Sequence, residues 1–173
     1  MIVSDNTYGR YAVPKRCDNK SVGVIIERDE ELLLLKRAKY PFGYAPPAGH
    51  VDDHGSYEQA AVDEVGEELG LAVSVAGLIK TSVWDRRTDL ACRREGGDHH
   101  IWRVYRATEF DGVLSPDADE TAGADWQSVD SLQALADKTR IYLDGLTTEE
   151  DWRQDPGIEV VWLGFLVELG YIS

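Results

Sequence analysis

The chain has 173 residues, of which 43% are hydrophobic and 29% are charged, as expected of one globular domain large enough to bury a core. Its formal net charge of −14 argues against binding to duplex nucleic acid or to an anionic membrane, because both require a basic surface. Two cysteines are too few for a disulfide framework, so the reducing cytoplasm is the predicted location.

The first elements are predicted to be an arm and a β-hairpin. Residues 1–20 are polar and interrupted by turn-forming residues, which predicts an extended arm over the surface. Two apolar runs follow at residues 21–27 and 31–36, separated by the polar turn 28–30. This pattern predicts a hairpin whose strands are buried on both faces.

The loop over residues 40–47, YPFGYAPP, is punctuated by proline and glycine and carries Phe42 and Tyr44. An aromatic ring in this position can stack on a nucleotide base, or it can pack against the protein. Packing is the commoner role, and Tyr44 is the candidate for a contact with substrate.

Residues 49–71, GHVDDHGSYEQAAVDEVGEELGL, contain a helix whose two ends are encoded locally. Ser56 is a suitable N-cap, and Gln59 three residues later completes a capping box. Gly70 follows the last turn, where a left-handed residue is expected. These signals predict a helix over residues 57–69, with an apolar stripe every four residues for packing.

Three carboxylates, Glu64, Glu67 and Glu68, share the other face of this helix because residues three and four apart lie one above the other. Asp63 adds a further negative charge beside them. Like charges at this spacing cost about 0.2–0.5 kcal/mol per pair. Clustered carboxylate oxygens are the ligands that hard divalent ions prefer, whereas the alternative is a solvated acidic helix.

The rest of the chain alternates strands with helices. The pattern predicts a long strand over residues 72–84, a strand over 100–108 and a short strand over 124–129. Asp130 is predicted to cap a helix through residue 136, and Thr147 forms a second capping box with Glu150. This order predicts a sheet covered by helices on both faces.

A last helix is predicted over residues 156–170, beginning at Pro156 and ending at Gly170. It is apolar nearly all round, so it is either deeply buried or part of a homodimer contact. The apolar stretch 158–169 is too short to span a bilayer.

A basic stretch over residues 85–100 is the predicted substrate-recognition segment of this acidic chain. Arginine makes bidentate contacts with phosphate, and tryptophan stacks on a base. A solvated loop with core tryptophans is the alternative. The candidates here are Arg86, Arg87, Arg94, His100 and Trp102, with Arg93 and Trp84 beside them.

Two cysteines and two histidines, Cys17, Cys92, His99 and His100, offer the ligand types of a zinc site. Their spacing contains no tight pair such as CxxC, which favours separate residues that do not bind metal.

Residues 49–71 resemble the signature of the Nudix hydrolase family: a glycine, five residues, a glutamate, seven residues, then Arg-Glu, an apolar residue, any residue, Glu-Glu, any residue, glycine and an apolar residue. The matching positions are Gly49, Glu64, Val65, Glu67, Glu68, Gly70 and Leu71. Two positions depart from it, because Gly55 replaces the first glutamate and Asp63 replaces the arginine. The resemblance implies an α/β fold, the Nudix α/β/α sandwich with a mixed sheet between helices, over the single domain 1–173.

The resemblance also implies a function: hydrolysis of the pyrophosphate linkage of a nucleoside diphosphate joined to another moiety, with Mg²⁺ or Mn²⁺. Gly49, Glu64, Glu67 and Glu68 are the implied metal ligands, the first through a main-chain carbonyl. Glu64 and Glu67 are also implied catalytic residues. Glu120 stands where relatives recruit a further acid, and Arg37 where many relatives carry a basic residue; a solvated charge is the alternative for each.

The two departures leave a second function open. An arginine at position 63 would hold the glutamates by charge-assisted hydrogen bonds, whereas Asp63 is expected to repel them, and losing such support costs about 10–100-fold in metal affinity or activity. A Nudix-fold nucleotide-binding module with weak or no hydrolysis is therefore the alternative to an active enzyme.

Overall fold

The computed structural model describes residues 16–81, 83, 85–90 and 92–173, apart from the side chain of residue 53. Most of the predicted N-terminal arm, and Trp84, lie outside these residues. The described strands are β1 (Lys20–Ile25), β2 (Glu27–Arg28), β3 (Glu31–Arg37), β4 (Tyr44–Ala45), β5 (Ala48–His50), β6 (Leu78–Lys80), β7 (Arg86–Thr88), β8 (His100–Ala107) and β9 (Thr121–Gln127). The α-helices are α1 (Tyr57–Leu69), α2 (Val129–Leu143), α3 (Glu149–Gln154) and α4 (Val160–Glu168).

The strands form two sheets that share one layer of the fold. In the first sheet, β1 is antiparallel to β5 and parallel to β8, while β6 and β7 pair with β8 in the antiparallel sense. In the second sheet, β3 pairs with β2, β4 and β9. The hairpin that forms consists of β2 and β3, whereas β1, which contains residues 21–25 of the predicted first strand, belongs to the other sheet.

Helices cover both faces of this layer because alternate side chains of a strand point to opposite sides. Val22, Val24, Leu33 and Leu35 pack in the core that contains α1. Their neighbours in β1 and β3 pack in a second core with α2 and α4, namely Ile25, Leu32 and Leu34. Each fully buried aliphatic side chain contributes about 1.5–3 kcal/mol. The α/β/α sandwich with a mixed sheet is thus confirmed.

Helix α1 has the predicted bounds and the predicted ends. Ser56 Oγ accepts a hydrogen bond from the Gln59 amide at 3.0 Å, and Gly70 adopts the left-handed conformation with φ 66°. The second half of the capping box is absent, because the Gln59 side chain donates to Asp63 Oδ1 at 2.7 Å instead. The prediction of the helix is correct, whereas that of a complete capping box is wrong.

Two later predictions have the right element type and the wrong extent. The long strand over 72–84 is reduced to β6, because Ser74 caps a 3₁₀ turn over Val75–Gly77 through a bond from the Gly77 amide at 3.1 Å. Helix α2 begins after Ser128, whose Oγ accepts from the Ser131 amide, and it continues to Leu143. Periodicity locates such elements better than it fixes their ends.

The last two helices begin later than predicted. Thr148, one residue beyond the expected cap, accepts the Asp151 amide at 3.1 Å and starts α3. Residues 157–159 instead run beside β4, with the Tyr44 amide donating to Gly157 and the Glu159 amide donating to Tyr44. The Glu159 carboxylate then caps α4 by accepting the Val161 and Trp162 amides.

Helix α4 is buried in its own chain through Trp162, Phe165 and Leu166, which gives a sufficient reason for its apolar sequence. Trp162 lies so close to β1 that a Cβ at Gly23 would lie 2.2 Å from its Cζ2 atom. None of the helices in the described part of the chain has the length and apolarity needed to cross a bilayer.

Candidate active site

Two glutamates of α1 lie against the main chain of strand β5, and a third stands exposed beside them. Glu68 is only 7% exposed, and its Oε2 accepts a hydrogen bond from the Ala48 amide at 2.8 Å. The half-buried Glu64 carboxylate lies directly against Gly49, where an added Cβ would lie 1.7 Å from Oε1. Glu67 stands at the exposed side of the same face. The helix thus presents one free carboxylate and two that are held in place.

The electrostatic state of this cluster favours a bound cation. Burial, together with the negative charges of Glu68 and Glu67, raises the pKa of Glu64 to about 7. Burial likewise raises the pKa of Glu68 to about 7, although the Ala48 amide and the Arg37 charge oppose the change. Two close, poorly solvated carboxylates are stabilised by a divalent ion, and an all-oxygen donor set fits Mg²⁺ or Mn²⁺.

These raised pKa values predict that the protein becomes less stable as the pH rises from 6.5 to 8 in buffer free of divalent ions. The folded state keeps protons on Glu64 and Glu68 up to about pH 7, whereas the ordinary glutamate pKa is 4.5. Stability that is present below pH 4.5 is therefore lost as the pH rises through 7, by about 1–2 kcal/mol between pH 6.5 and 8. Urea unfolding at the two pH values measures this change.

Glu68→Gln provides the control for this pH dependence, because the amide oxygen can still accept the Ala48 hydrogen bond but carries no proton to lose. Its loss of stability across the same interval should be smaller than that of the unmodified protein. The lowered pKa values of His50 and His100 add an opposing gain in stability near the lower end of this interval, and that gain is the same in both proteins. An identical slope in both proteins would contradict the prediction.

The two departures from the signature have separate structural outcomes. Asp63 accepts from Gln59 and lies 2.8 Å from His54 Nδ1, a hydrogen bond that lowers the pKa of Asp63. The Asp63 carboxylate therefore contacts His54 and points away from the glutamates, contrary to the expected repulsion. Gly55 has φ 84° and open space beside its Cα. Sequence reasoning missed His54, whose position in the loop gave no sign of this contact.

Arg37 and Glu120 lie near each other, because Arg37 of β3 is opposite Thr121 of β9. Arg37 Nε donates to the Pro41 carbonyl at 2.8 Å, and its positive charge lowers the pKa of both Glu64 and Glu68. Glu120 forms an ion pair with Lys39 at 2.6 Å, and its negative charge raises the pKa of Glu68. Both residues thus act electrostatically on the cluster.

The predicted aromatic contacts take part in packing. Tyr44 is half-buried in β4, where its main chain holds residues 157–159. The Trp102 ring lies 5.8 Å from that of Trp162 and 5.7 Å from that of Phe165. Its Nε1 atom donates to Thr88 Oγ1 at 3.2 Å.

Each arginine of the basic stretch already has a partner. Arg86 pairs with Glu168 at 2.6 Å, Arg87 pairs with Asp89 at 2.7 Å, and Arg94 pairs with Asp52. The Arg93 guanidinium lies 3.5 Å from the centre of the Tyr40 ring. A phosphate bound at one of the three ion pairs must therefore compete with a carboxylate.

The cysteines and histidines that were expected to lie apart come together. Cys17, His50, Cys92 and His100 each place a ligand atom within 4.8 Å of the other three. His99 is not among them, because its Nδ1 lies 2.5 Å from Asp98 Oδ1. Sequence reasoning missed His50, since it is adjacent to Gly49 and distant from the other three along the chain.

Comparisons with known proteins agree with this fold. A family model described as the NUDIX domain matches residues 18–146. NAD-capped RNA hydrolase NudC of Pseudomonas aeruginosa is 30% identical over 116 residues, which cover 66% of this chain and 38% of that protein. The ADP-ribose pyrophosphatase of Methanocaldococcus jannaschii is 41% identical over 61 residues, which cover 34% of this chain and 36% of that protein. The chain therefore spans less than half the length of these curated relatives.

A solved structure shares the fold. The crystal structure of a MutT NUDIX hydrolase from Burkholderia pseudomallei superposes with a TM-score of 0.53 and 29% sequence identity. The superposition covers 75% of this chain and 98% of that chain.

Proposed function

The chain belongs to the NUDIX family, and we propose that it is a divalent-metal-dependent hydrolase that cleaves the pyrophosphate linkage of a nucleoside diphosphate joined to another moiety. One observation carries the proposal. Glu64 and Glu68 lie close together, largely removed from water and held against the main chain of β5, with Glu67 open beside them. This cluster is a natural ligand set for a hard cation bound together with phosphate.

The proposed metal ligands are Glu64, Glu67 and Glu68 with the main-chain carbonyl of Gly49. A bound Mg²⁺ or Mn²⁺ ion neutralises charge on the phosphoryl oxygens and lowers the pKa of water. The Ala48 amide fixes the Glu68 carboxylate, and the absence of a side chain at Gly49 leaves room for that of Glu64.

In the proposed reaction, the oxygen of water forms a bond to one phosphorus, and the bond from that phosphorus to the bridging oxygen breaks. The bridging oxygen leaves with the electron pair on the second phosphate, and a carboxylate accepts the proton of water. Glu67 is the proposed acceptor because it is exposed, with Glu64 as the second candidate. Glu120 is proposed as an auxiliary base, which must first release Lys39.

For substrate binding, Arg37 has the strongest support because its charge already acts on two of the glutamates. Tyr44 and Trp102 remain proposed contacts with the nucleoside, whereas a contact of His100 with the nucleoside would compete with its contact with Cys17. At Arg86, Arg87 and Arg94, phosphate would replace the carboxylate that each now holds.

The names of the relatives suggest where to begin with substrates. NAD and ADP-ribose both contain a pyrophosphate flanked by a nucleoside, as the proposed substrate class does. The net charge of −14 disfavours an extended nucleic-acid surface, so the proposed substrate is a small molecule. A cytoplasmic location and a homodimer through the last helix stay predictions.

The test is a panel of NAD, ADP-ribose, nucleotide sugars, dinucleoside polyphosphates, nucleoside di- and triphosphates and NAD-capped RNA, each with Mg²⁺ or Mn²⁺. We expect cleavage of at least one substrate that carries two moieties, with products resolved by chromatography. Omission of the divalent ion should abolish turnover. Cleavage that persists in its absence would contradict the metal-dependent reaction.

The binding module is the second candidate because no arginine occupies position 63. Thermal stabilisation by nucleotide or metal without any hydrolysis would favour it over the enzyme. In that case, Asp63→Arg combined with Gly55→Glu restores the signature, and the appearance of turnover would identify the two departures as the cause.

A further inference from the structure

A second cluster of metal-binding side chains lies on the far side of β5 from the glutamates. Cys17 Sγ is 3.1 Å from His100 Nε2, and Cys92 Sγ is 3.4 Å from His50 Nε2. The two imidazole rings are 5.0 Å apart and nearly perpendicular. In a tetrahedral site with Zn–S near 2.3 Å and Zn–N near 2.0–2.1 Å, neighbouring ligand atoms are about 3.3–3.8 Å apart. The two sulfur–nitrogen distances are close to this range, and all four ligand atoms lie within 4.8 Å of one another, so the cluster is close to the dimensions of such a site.

The backbone around both cysteines is arranged to support thiolates. The Asn19 amide donates to Cys17 Sγ, and the Arg94 amide donates to Cys92 Sγ, each at 3.3 Å. Both donors lie two residues beyond the cysteine, so each sulfur sits inside its own tight turn. Amides aimed at sulfur stabilise the anionic form that binds metal.

A main-chain hydrogen bond joins these two turns, because the Cys17 amide donates to the Glu95 carbonyl at 2.9 Å. The Cys92 amide donates to the Gly97 carbonyl at 3.1 Å and closes the second turn. Gly97 is required for this close approach, because a Cβ there would lie 2.4 Å from Cys92 Cβ and 3.1 Å from Cys17 Sγ. The position of the two sulfurs is thus set by the backbone before any metal binds.

The register of the first sheet brings in the two histidines. Strand β1 lies between β5 and β8, with Ser21 opposite both His50 and Trp102. His50 ends β5 and His100 begins β8, so both rings lie at the edge where Cys17 leads into β1. His99, which immediately precedes His100, forms a hydrogen bond with Asp98 instead.

We propose that Cys17, His50, Cys92 and His100 bind one Zn²⁺ ion in a closed tetrahedral site. Two thiolates and two imidazoles are a set that Zn²⁺ prefers, whereas Mg²⁺ and Mn²⁺ prefer oxygen. Two thiolates also balance the charge of the ion. Since four protein ligands leave no open position, the site is structural and separate from the hydrolytic centre.

The proposed zinc site has a defined mechanical consequence. It ties Cys17 and the turn 92–97 to His50 of strand β5, and Ala48 and Gly49 of the same strand contact Glu68 and Glu64. The ion pair between Arg94 and Asp52 makes a second link from this turn to the loop before α1. Zinc therefore stabilises the strand on which the glutamates rest.

The test is the metal content of the full-length protein, produced with zinc and purified without a chelator under reducing conditions. We expect one zinc ion per chain by elemental analysis. Replacement by Co²⁺ should give the thiolate charge-transfer absorption and the intense visible bands of a tetrahedral site. Because the chain has only two cysteines, that absorption reports on Cys17 and Cys92 alone.

Matched variants separate this site from the other residues. Cys17→Ser and Cys92→Ser should retain less than about a tenth of the zinc, since each removes one of four ligands. His99→Ala, beside His100 but outside the cluster, should retain one zinc ion per chain. Glu64→Gln should also retain it, because the glutamate site is separate.

Three outcomes would overturn the proposal. The first is that the unmodified, fully reduced protein takes up no zinc. The second is that the serine variants retain zinc as the parent does. The third is that thiol titration of unfolded, unreduced protein finds neither thiol, which would identify a disulfide between Cys17 and Cys92 instead. Should the serine variants fail to fold, the Co²⁺ spectrum of the unmodified protein decides, and absence of thiolate charge transfer rejects the site.

Discussion

Replacing Glu67 by glutamine is expected to lower kcat by about 10²–10⁴-fold, the range found when a catalytic proton acceptor is lost. The amide has the size of the carboxylate but can neither accept the proton nor contribute a negative charge to the metal site. Glu67 is exposed on α1, so its replacement should change the free energy of unfolding by less than about 0.5 kcal/mol. Steady-state kinetics on the best substrate of the panel, with urea unfolding alongside, measure both effects.

Glu150→Gln is the matched control for this variant. Glu150 is also an exposed helical glutamate, in α3 and outside the proposed site. Its replacement should leave kcat and stability unchanged. If Glu67→Gln turned over substrate as fast as Glu150→Gln, the assignment of Glu67 as proton acceptor and metal ligand would be wrong.

The sequence predicts α1 so accurately because all of the relevant information is local. Ser56 and Gly70 define the two ends through contacts within a few residues. The glutamates share a face by helix geometry alone. The element that carries the proposed chemistry is therefore the best predicted part of the chain.

Extents of other elements depended on contacts between distant segments. Residues 157–159 have the composition of a helix start, yet they pair with Tyr44, more than a hundred residues earlier. The strand over 72–84 was instead shortened by a local contact, because Ser74 caps the 3₁₀ turn over Val75–Gly77. Competition of this kind between local preference and a distant partner is invisible to periodicity.

Sequence reasoning missed two histidines for the same reason, because each acts through residues that are distant from it along the chain. His54 matters because its ring contacts Asp63, nine residues later along the chain, and His50 matters because β1 aligns β5 with β8. Zinc motifs are recognised by tight spacing, whereas this cluster takes its ligands from four separate segments. Only the sheet register unites Cys17 with residues more than thirty and more than eighty positions away.

Gly49→Ala is the second variant with a large expected effect, because it disturbs a catalytic glutamate without altering any ionisable group. The added Cβ would lie 1.7 Å from Glu64 Oε1 and 2.0 Å from its Cδ. Gly49 is not among the glycines with positive φ, so alanine fits the backbone and the conflict falls on the Glu64 carboxylate. Displacing a reacting or coordinating group by about 1 Å costs on the order of 10²-fold in rate. Steady-state kinetics should show this loss in kcat, and titration with Mn²⁺ should show weaker metal binding.

Gly66→Ala is the control that separates this displacement from a general effect of alanine near the site. Gly66 is exposed in the same helix, and an added Cβ would have no neighbour closer than the Leu71 carbonyl at 3.8 Å. Alanine there should raise the free energy of unfolding by about 0.5–1 kcal/mol and leave kcat unchanged. Since the end of a long side chain can move, Gly49→Ala should keep its fold while losing activity. Equal activity in the two variants would show that Glu64 does not need its place against Gly49, and the proposed role of β5 in holding the metal ligands would then fail.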